Sequence, residues 1–224
     1  MLRCVTSCKT LEIRKLVMRI ETININEKIT VSFGEIPGMV DYSESSCLGL
    51  RYLTTNVRSD NRRKEVFATN VLIHELFGDN CYLKHKANGV PYLESENSAV
   101  PQISLSHCRD LVAVAYSQDS VGVDVEEISD RVMRVRERVQ SLEEQRYIGH
   151  SLIVNTIVWT AKEAMFKVVP EEGVDFAKDL VLDLKDVSPK KQINEFSAVA
   201  YGRKYKVISR LLDDRVLTVA FLDE

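Results

Sequence analysis

Polar and apolar residues alternate through most of this chain, and the period lengthens to that of a helix at only a few places. Residues 29–36 alternate as a strand does, and Pro37-Gly38 supplies a turn after them. Asp60 is a suitable N-cap for a helix over 61–77. There Val66, Phe67, Asn70, Val71, Ile73, His74 and Phe77 recur near the helical period, and Gly78-Asp79-Asn80 stops it. Short strands are expected at 82–84 and 91–93, separated by the turn Ala87-Asn88-Gly89. Three more fall at 103–106, 111–117 and 121–126, the last two joined by Gln118-Asp119-Ser120 as a hairpin loop.

Past residue 128 the character changes. Residues 131–139 and 143–149 read as helices, and 152–168 as a longer, largely buried one ended by Pro170. Strands at 196–201, 204–212 and 216–222 follow, linked by Gly202-Arg203 and Asp213-Asp214-Arg215. Helix plus antiparallel strands occur on both sides of the middle. The expected fold is therefore α+β, built as two similar halves, 18–118 and 119–224, joined near 118–122. Residues 1–17 are basic and weakly patterned, and read as a poorly ordered N-terminal extension.

Composition narrows the class. With 224 residues, 45% of them hydrophobic and 28% charged, the chain can bury a real core and resembles an ordinary soluble domain. A net charge of -3 argues against nucleic-acid binding by bulk electrostatics. The five cysteines are scattered, without partners at zinc-ligand spacing, as expected of reduced thiols in a cytoplasmic protein. No apolar run approaches the ~20 residues of a membrane span, and the N-terminus lacks the form of a secretory signal.

Two short segments carry the chemistry. Val121-Gly122-Val123-Asp124-Val125-Glu126-Glu127 places Asp124 and Glu126 two residues apart on a strand, hence on one face. Trp159-Thr160-Ala161-Lys162-Glu163-Ala164-Met165-Phe166-Lys167 places Glu163 and Lys167 one helical turn apart. Taken singly, each has an ordinary reading: solvated acids on an edge strand, and a surface ion pair on an amphipathic helix. Brought together, three carboxylates and a lysine make a site for a hard cation with a phosphate clamp beside it.

In order, spacing and residue identity these segments resemble the signatures of the 4′-phosphopantetheinyl transferases. Upstream, Asn88-Gly89-Val90-Pro91-Tyr92-Leu93 is similar to that family's Gly-Lys-Pro-Tyr turn, with Val90 in place of the lysine. Ile103-Ser104-Leu105-Ser106-His107 is similar to its Ser-x-Ser-His strand end. The order of the four segments is that of the longer, surfactin-type members, which fold as a pseudo-dimer within one chain. The resemblance covers residues 61–168.

The resemblance implies transfer of 4′-phosphopantetheine from coenzyme A to a serine of an apo acyl or peptidyl carrier protein. It further implies release of adenosine 3′,5′-bisphosphate, Mg²⁺ as the cofactor and a monomeric enzyme. Catalysis of that kind is mostly positioning and electrostatic stabilisation. By the family pattern Asp124, Glu126 and Glu163 bind the metal, Lys167 and His107 contact the diphosphate, and Ser106 adds a hydrogen bond. Lys162 helps to hold the site by its stem as much as by its charge. Ser141-Leu142-Glu143-Glu144 resembles the family's Ser-x-x-Glu segment. Glu144 then either activates the serine, directly or through a metal-bound water, or is a solvated acid favoured by a helix N-terminus. Arg62, Arg63 and Lys64 are either contacts for the 3′-phosphate of coenzyme A or a solvated helix start. Arg131, Arg134 and Arg138 fit a charged helix face better than a carrier-protein contact, and Trp159 fits packing better than ligand contact. A non-catalytic homologue that binds coenzyme A or carrier protein is the alternative, which the intact carboxylate set disfavours.

Overall fold

The computed structural model describes residues 18–35, 59–95 and 99–223, so the N-terminal extension and the Pro37-Gly38 turn lie outside the described residues. Eleven strands and four helices are described, and every paired strand runs antiparallel. The architecture is α+β.

The first sheet joins β1 (Ile20–Asn24), β2 (Thr30–Glu35), β5 (Gln102–Cys108) and β6 (Leu111–Ser117) in the order β1-β2-β6-β5. The second joins β7 (Val121–Glu127), β8 (Val181–Leu182), β9 (Ile193–Ala200), β10 (Arg203–Leu212) and β11 (Arg215–Leu222) in the order β7-β11-β10-β9-β8. A separate hairpin pairs β3 (Cys81–His85) with β4 (Pro91–Ser95). It turns at Gly89, whose φ of 85° suits glycine.

Three apolar clusters stack these pieces. The helix α1 (Asp60–Phe77) lays Ala68, Leu72 and Ile73 on Val112 and Val114 of β6. From the opposite face of β6, Ala113 and Ala115 pack with Val31 and Phe33 against Val121, Val123 and Val125 of β7. On the far side of the second sheet, α4 (Leu152–Val168) buries Ile157, Ala161, Ala164 and Met165 against β9, β10 and β11. Two shorter helices, α2 (Arg131–Val139) and α3 (Leu142–Ile148), lead into α4. Among the described residues no helix is long and apolar enough to cross a membrane.

Two local expectations are corrected. Asp60 opens α1 instead of capping it: the N-cap is Ser59, in extended backbone, while Asp60 sits in the first turn and pairs with Arg63. Residues 118–120 do not close a hairpin. Both edges of β6 are already occupied, by β2 and β5, so the chain crosses to the other sheet, where β7 pairs with β11. The uninterrupted apolar run of β6 is that of a strand buried on both faces.

β7 is an edge strand, and its outer edge is closed by side chains in place of a ladder. Ser104 Oγ accepts from the Val123 N–H at 3.0 Å, and Ser106 Oγ accepts from the Val125 N–H at 3.2 Å. Two hydroxyls on β5 thus satisfy backbone donors that would otherwise be buried unpaired. With the valines of β7 turned to the first sheet, Gly122, Asp124 and Glu126 share the face toward α4. A Cβ on Gly122 would lie 1.9 Å from the Ala164 carbonyl oxygen, so only glycine permits the approach. Gly122→Ala is therefore expected to cost at least the ~1–3 kcal/mol of an overpacked core. The midpoint in a thermal melt should fall by roughly 5–10 °C, and an unchanged melting temperature would refute the close approach.

Candidate active site

Asp124 stands at the centre of the site. It is buried; Oδ1 accepts from Ser106 Oγ at 2.8 Å and from Lys167 Nζ at 2.9 Å. Oδ2 is buried without a hydrogen-bond partner. Lys167 reaches back from α4 and also donates to the Val123 carbonyl at 2.7 Å, so its ammonium is held by two oxygens of β7. Burial pushes the Asp124 carboxyl above its usual range, against the pull of Lys167, Ser106 and His107.

Glu126 and Glu163 flank Asp124. Glu126 is raised by burial and then by the charge of Asp124, opposed by a hydrogen bond from the Trp159 indole. Glu163 is raised to about 7 by burial, by Asp124 and by Glu126, with Lys167 opposing. Glu126 feels Asp124 and Glu163 feels both, so one buried and two half-buried carboxylates share a neighbourhood. Among the described residues, no group of three His, Cys, Asp or Glu side chains is arranged as a ready metal cage. In this conformation the cation against Asp124 is Lys167. The donor chemistry nevertheless suits a hard divalent ion: carboxylate oxygens only, one of them buried and unpartnered.

His107 lies on β5 next to Ser106. Its Nε2 is 3.0 Å from Glu65 Oε2 and 3.3 Å from Arg62 Nη1. Burial, Arg62 and Lys167 lower its pKa, while Glu65 and Asp124 raise it. The structure thus brings Asp124, Glu126, Glu163, Lys167, Ser106 and His107 into one neighbourhood. Ser106 is buried and engaged on both sides, so it orients Asp124 and leaves no hydroxyl facing outward. Of the basic residues opening α1, Arg62 reaches His107, whereas Arg63 turns to Asp60 and Lys64 is partly buried in the same turn. Sequence reasoning missed Glu65. Its spacing of three from Arg62 on a helix was the available signal.

Lys162 and Glu144 are paired with each other. Lys162 is 0% exposed, and its ammonium donates to Glu144 Oε2 at 2.7 Å and to the Phe176 carbonyl at 2.9 Å. The same Glu144 oxygen accepts from the Ser141 N–H, and Ser141 Oγ accepts from the Glu144 N–H, which completes a capping box at the start of α3. The Ser-x-x-Glu spacing is thus first a helix-start signal. The Lys162 ammonium is taken up by the Glu144 and Phe176 oxygens, whereas Glu144 Oε1 is buried without a hydrogen-bond partner. The ion pair fastens α3 and the segment carrying Phe176 to α4, and Phe176 packs against Trp159 and Phe166 at ring-centroid distances of 6.4 and 5.2 Å. Cys81 and Cys108 are buried free thiols, with Cys108 pushed up to about 11 by burial and by Glu126.

Residues 120–220 match a family model described as the 4′-phosphopantetheinyl transferase superfamily. The match runs from β7 to β11. It includes Asp124, Glu126, Glu144, Glu163 and Lys167, and supports phosphopantetheine transfer in general. No curated protein matches the chain.

Two outcomes follow from this geometry. Lys162→Ala leaves Glu144 buried without its cation and should cost about 3–5 kcal/mol in urea unfolding, with Lys162→Met/Glu144→Gln recovering part of it. A loss no larger than that of an exposed lysine would contradict the buried pair. For Glu163, the folded pKa of about 7 lies above its ordinary 4.5, so ionisation opposes folding. The contribution to stability is fully present below about 4.5 and disappears as pH rises through about 7. In chelator-treated protein, the stability advantage of Glu163→Gln should grow across that window. A difference independent of pH would remove the assigned burial.

Proposed function

We propose that this chain transfers the 4′-phosphopantetheine group from coenzyme A to a serine hydroxyl of an apo acyl or peptidyl carrier protein, with Mg²⁺ as cofactor. The observation that carries the reading is the union of Asp124 and Glu126 on β7 with Glu163 and Lys167 on α4, inside the segment that matches the transferase family.

Asp124, Glu126 and Glu163 would hold the metal, whose positive charge would offset that of the substrate diphosphate. The remaining chemistry falls to the chain itself. Lys167, anchored on β7, supplies positive charge, and Lys167 and His107 supply hydrogen-bond donors to the diphosphate oxygens, where negative charge grows as the phosphorus is attacked. The serine oxygen forms a bond to the β-phosphorus, and the bond from that phosphorus to the bridging oxygen breaks. Adenosine 3′,5′-bisphosphate leaves with the bonding electrons. The serine proton would pass to a carboxylate oxygen of Glu163 that the metal does not engage. Glu144, held by Lys162 and the α3 cap, acts by keeping α3 and α4 together.

The proposal includes a surfactin-type arrangement of two halves, 18–118 and 119–224, in a cytoplasmic monomer. Its support is the division of the strands into two main sheets between β6 and β7, with the β5 and β7 edges facing each other across the serine contacts.

Incubation with coenzyme A, Mg²⁺ and several apo carrier proteins should add one phosphopantetheine mass to at least one carrier, read by mass spectrometry. No mass gain on any carrier would sink the transferase reading. Asp124→Ala and Glu163→Ala should each lower turnover by at least ~100-fold, on the order of a lost electrostatic stabiliser. Both should retain the native circular-dichroism spectrum. Wild-type turnover at low Mg²⁺ in either variant would remove the metal assignment.

A further inference from the structure

The second sheet has more face than the first sheet covers. On the face turned away from α4, β11 buries Leu217 and Val219, β10 half-buries Ile208 and Arg210, and β9 leaves Ile193 and Glu195 exposed. The covering sheet ends at β1, whose Ile23, with Ile25 just past the strand, packs against the cluster that holds Leu217 and Val219. A groove of about 210 Å³ remains between the end of β1 and the less covered strands. Strand register lays its floor in two rows. Ile193, Arg210 and Leu217 stand side by side in one, and Glu195, Ile208 and Val219 in the next. With Ile23 and Ile25 as the wall, aliphatic side chains bound a space for about seven water-sized groups.

Arg210 is the residue that incomplete apolar packing does not explain. Its Nε is buried without a hydrogen-bond partner. Glu195, the acid of the groove, is engaged instead by Lys206 Nζ at 2.5 Å. A buried donor without an acceptor carries an uncompensated desolvation cost, and a carboxylate is an acceptor that the guanidinium fork fits. A multiply charged group would set itself against Glu195 in the neighbouring row, so a single negative charge suits the place better. The groove thus joins an apolar floor and wall to one cation that lacks an anion. We propose that it binds a medium-chain monocarboxylate, with the carboxylate on Arg210 and the hydrocarbon chain along Ile193, Ile208 and Ile23. Such a ligand ties β1 to β9 and β10 and covers apolar surface that the first sheet leaves open. The groove lies on the face of the second sheet opposite Asp124 and Glu126, so the proposal does not rest on the transfer reaction above.

The test is calorimetric titration of the full chain with octanoate, butyrate and octan-1-ol. Octanoate should bind at least ~10-fold more tightly than butyrate, which has less chain to bury. It should exceed octan-1-ol by a similar factor, because the alcohol brings no charge to Arg210. Arg210→Gln should weaken octanoate about tenfold, toward the level of the alcohol. Ile193→Ser should weaken octanoate and the alcohol alike. Without ligand both variants should melt as the parent chain does, since Arg210 Nε has no partner to lose and Ile193 is exposed. No detectable octanoate binding at millimolar concentration overturns the site, as does binding that either variant leaves intact. Equal affinity for octanoate and octan-1-ol overturns it too, since Arg210 then plays no part. A sedimentation mass that rises toward a dimer with concentration, and falls back in Ile193→Ser, gives the groove to a second copy of the chain and likewise overturns the proposal.

Discussion

The backbones of β7 and α4 approach until a Cβ on Gly122 would overlap the Ala164 carbonyl, and the site is arranged around that contact. Strand periodicity then does the rest. Once Gly122 faces α4, Asp124 and Glu126 face it too, while Val121, Val123 and Val125 enter the core between the sheets. On the helix, Ala164 touches Gly122, and its neighbours Glu163 and Lys167 flank the same strand. Thr160, one turn earlier, shares a hydrogen bond of 2.7 Å with Thr218, the β11 partner of Asp124. A side chain at residue 122 would lift the helix and separate the two carriers of charge.

Bringing carboxylates out of water carries an electrostatic cost that the surrounding structure only partly offsets. Asp124 is compensated by a hydroxyl and an ammonium, Glu126 by an indole N–H, and Glu163 chiefly by Lys167. The remainder appears as raised proton affinities at all three, to about 7 at Glu163. A site built for stability alone would not concentrate three acids in this way. The excess negative charge is complementary to a divalent cation, and the basic groups beside it are complementary to phosphate.

α4 divides its polar residues between two tasks. Glu163 and Lys167 face β7 and the charged centre. Lys162 points about a quarter-turn or more away, into the pair with Glu144 that secures α3 and Phe176. Phe176 supports Trp159, whose indole returns to Glu126, so the structural pair and the charged centre are linked through aromatic packing. Adjacent residues of one motif thus serve different ends of the same helix surface.

Much of this was legible in the chain itself. Strand and helix periods placed β6, α2 and α4 within their observed bounds, because each buries a regular set of apolar positions. The motif residues Asp124, Glu126, Glu163 and Lys167 were readable from type and spacing. Partners distant in sequence were not. No local pattern tells that β6 has both edges filled, so that residues 118–120 cross between sheets instead of turning back. Nor does one tell that Glu144 is claimed by Lys162, or that Arg62, not Arg63, reaches His107 through Glu65. Sequence by itself determined which faces of each element are apolar and which carry charge, since backbone geometry fixes that periodicity. Tertiary structure alone decided which charges meet, because a charge is paired by its neighbours in space, and those come from elements folded together over long stretches of chain.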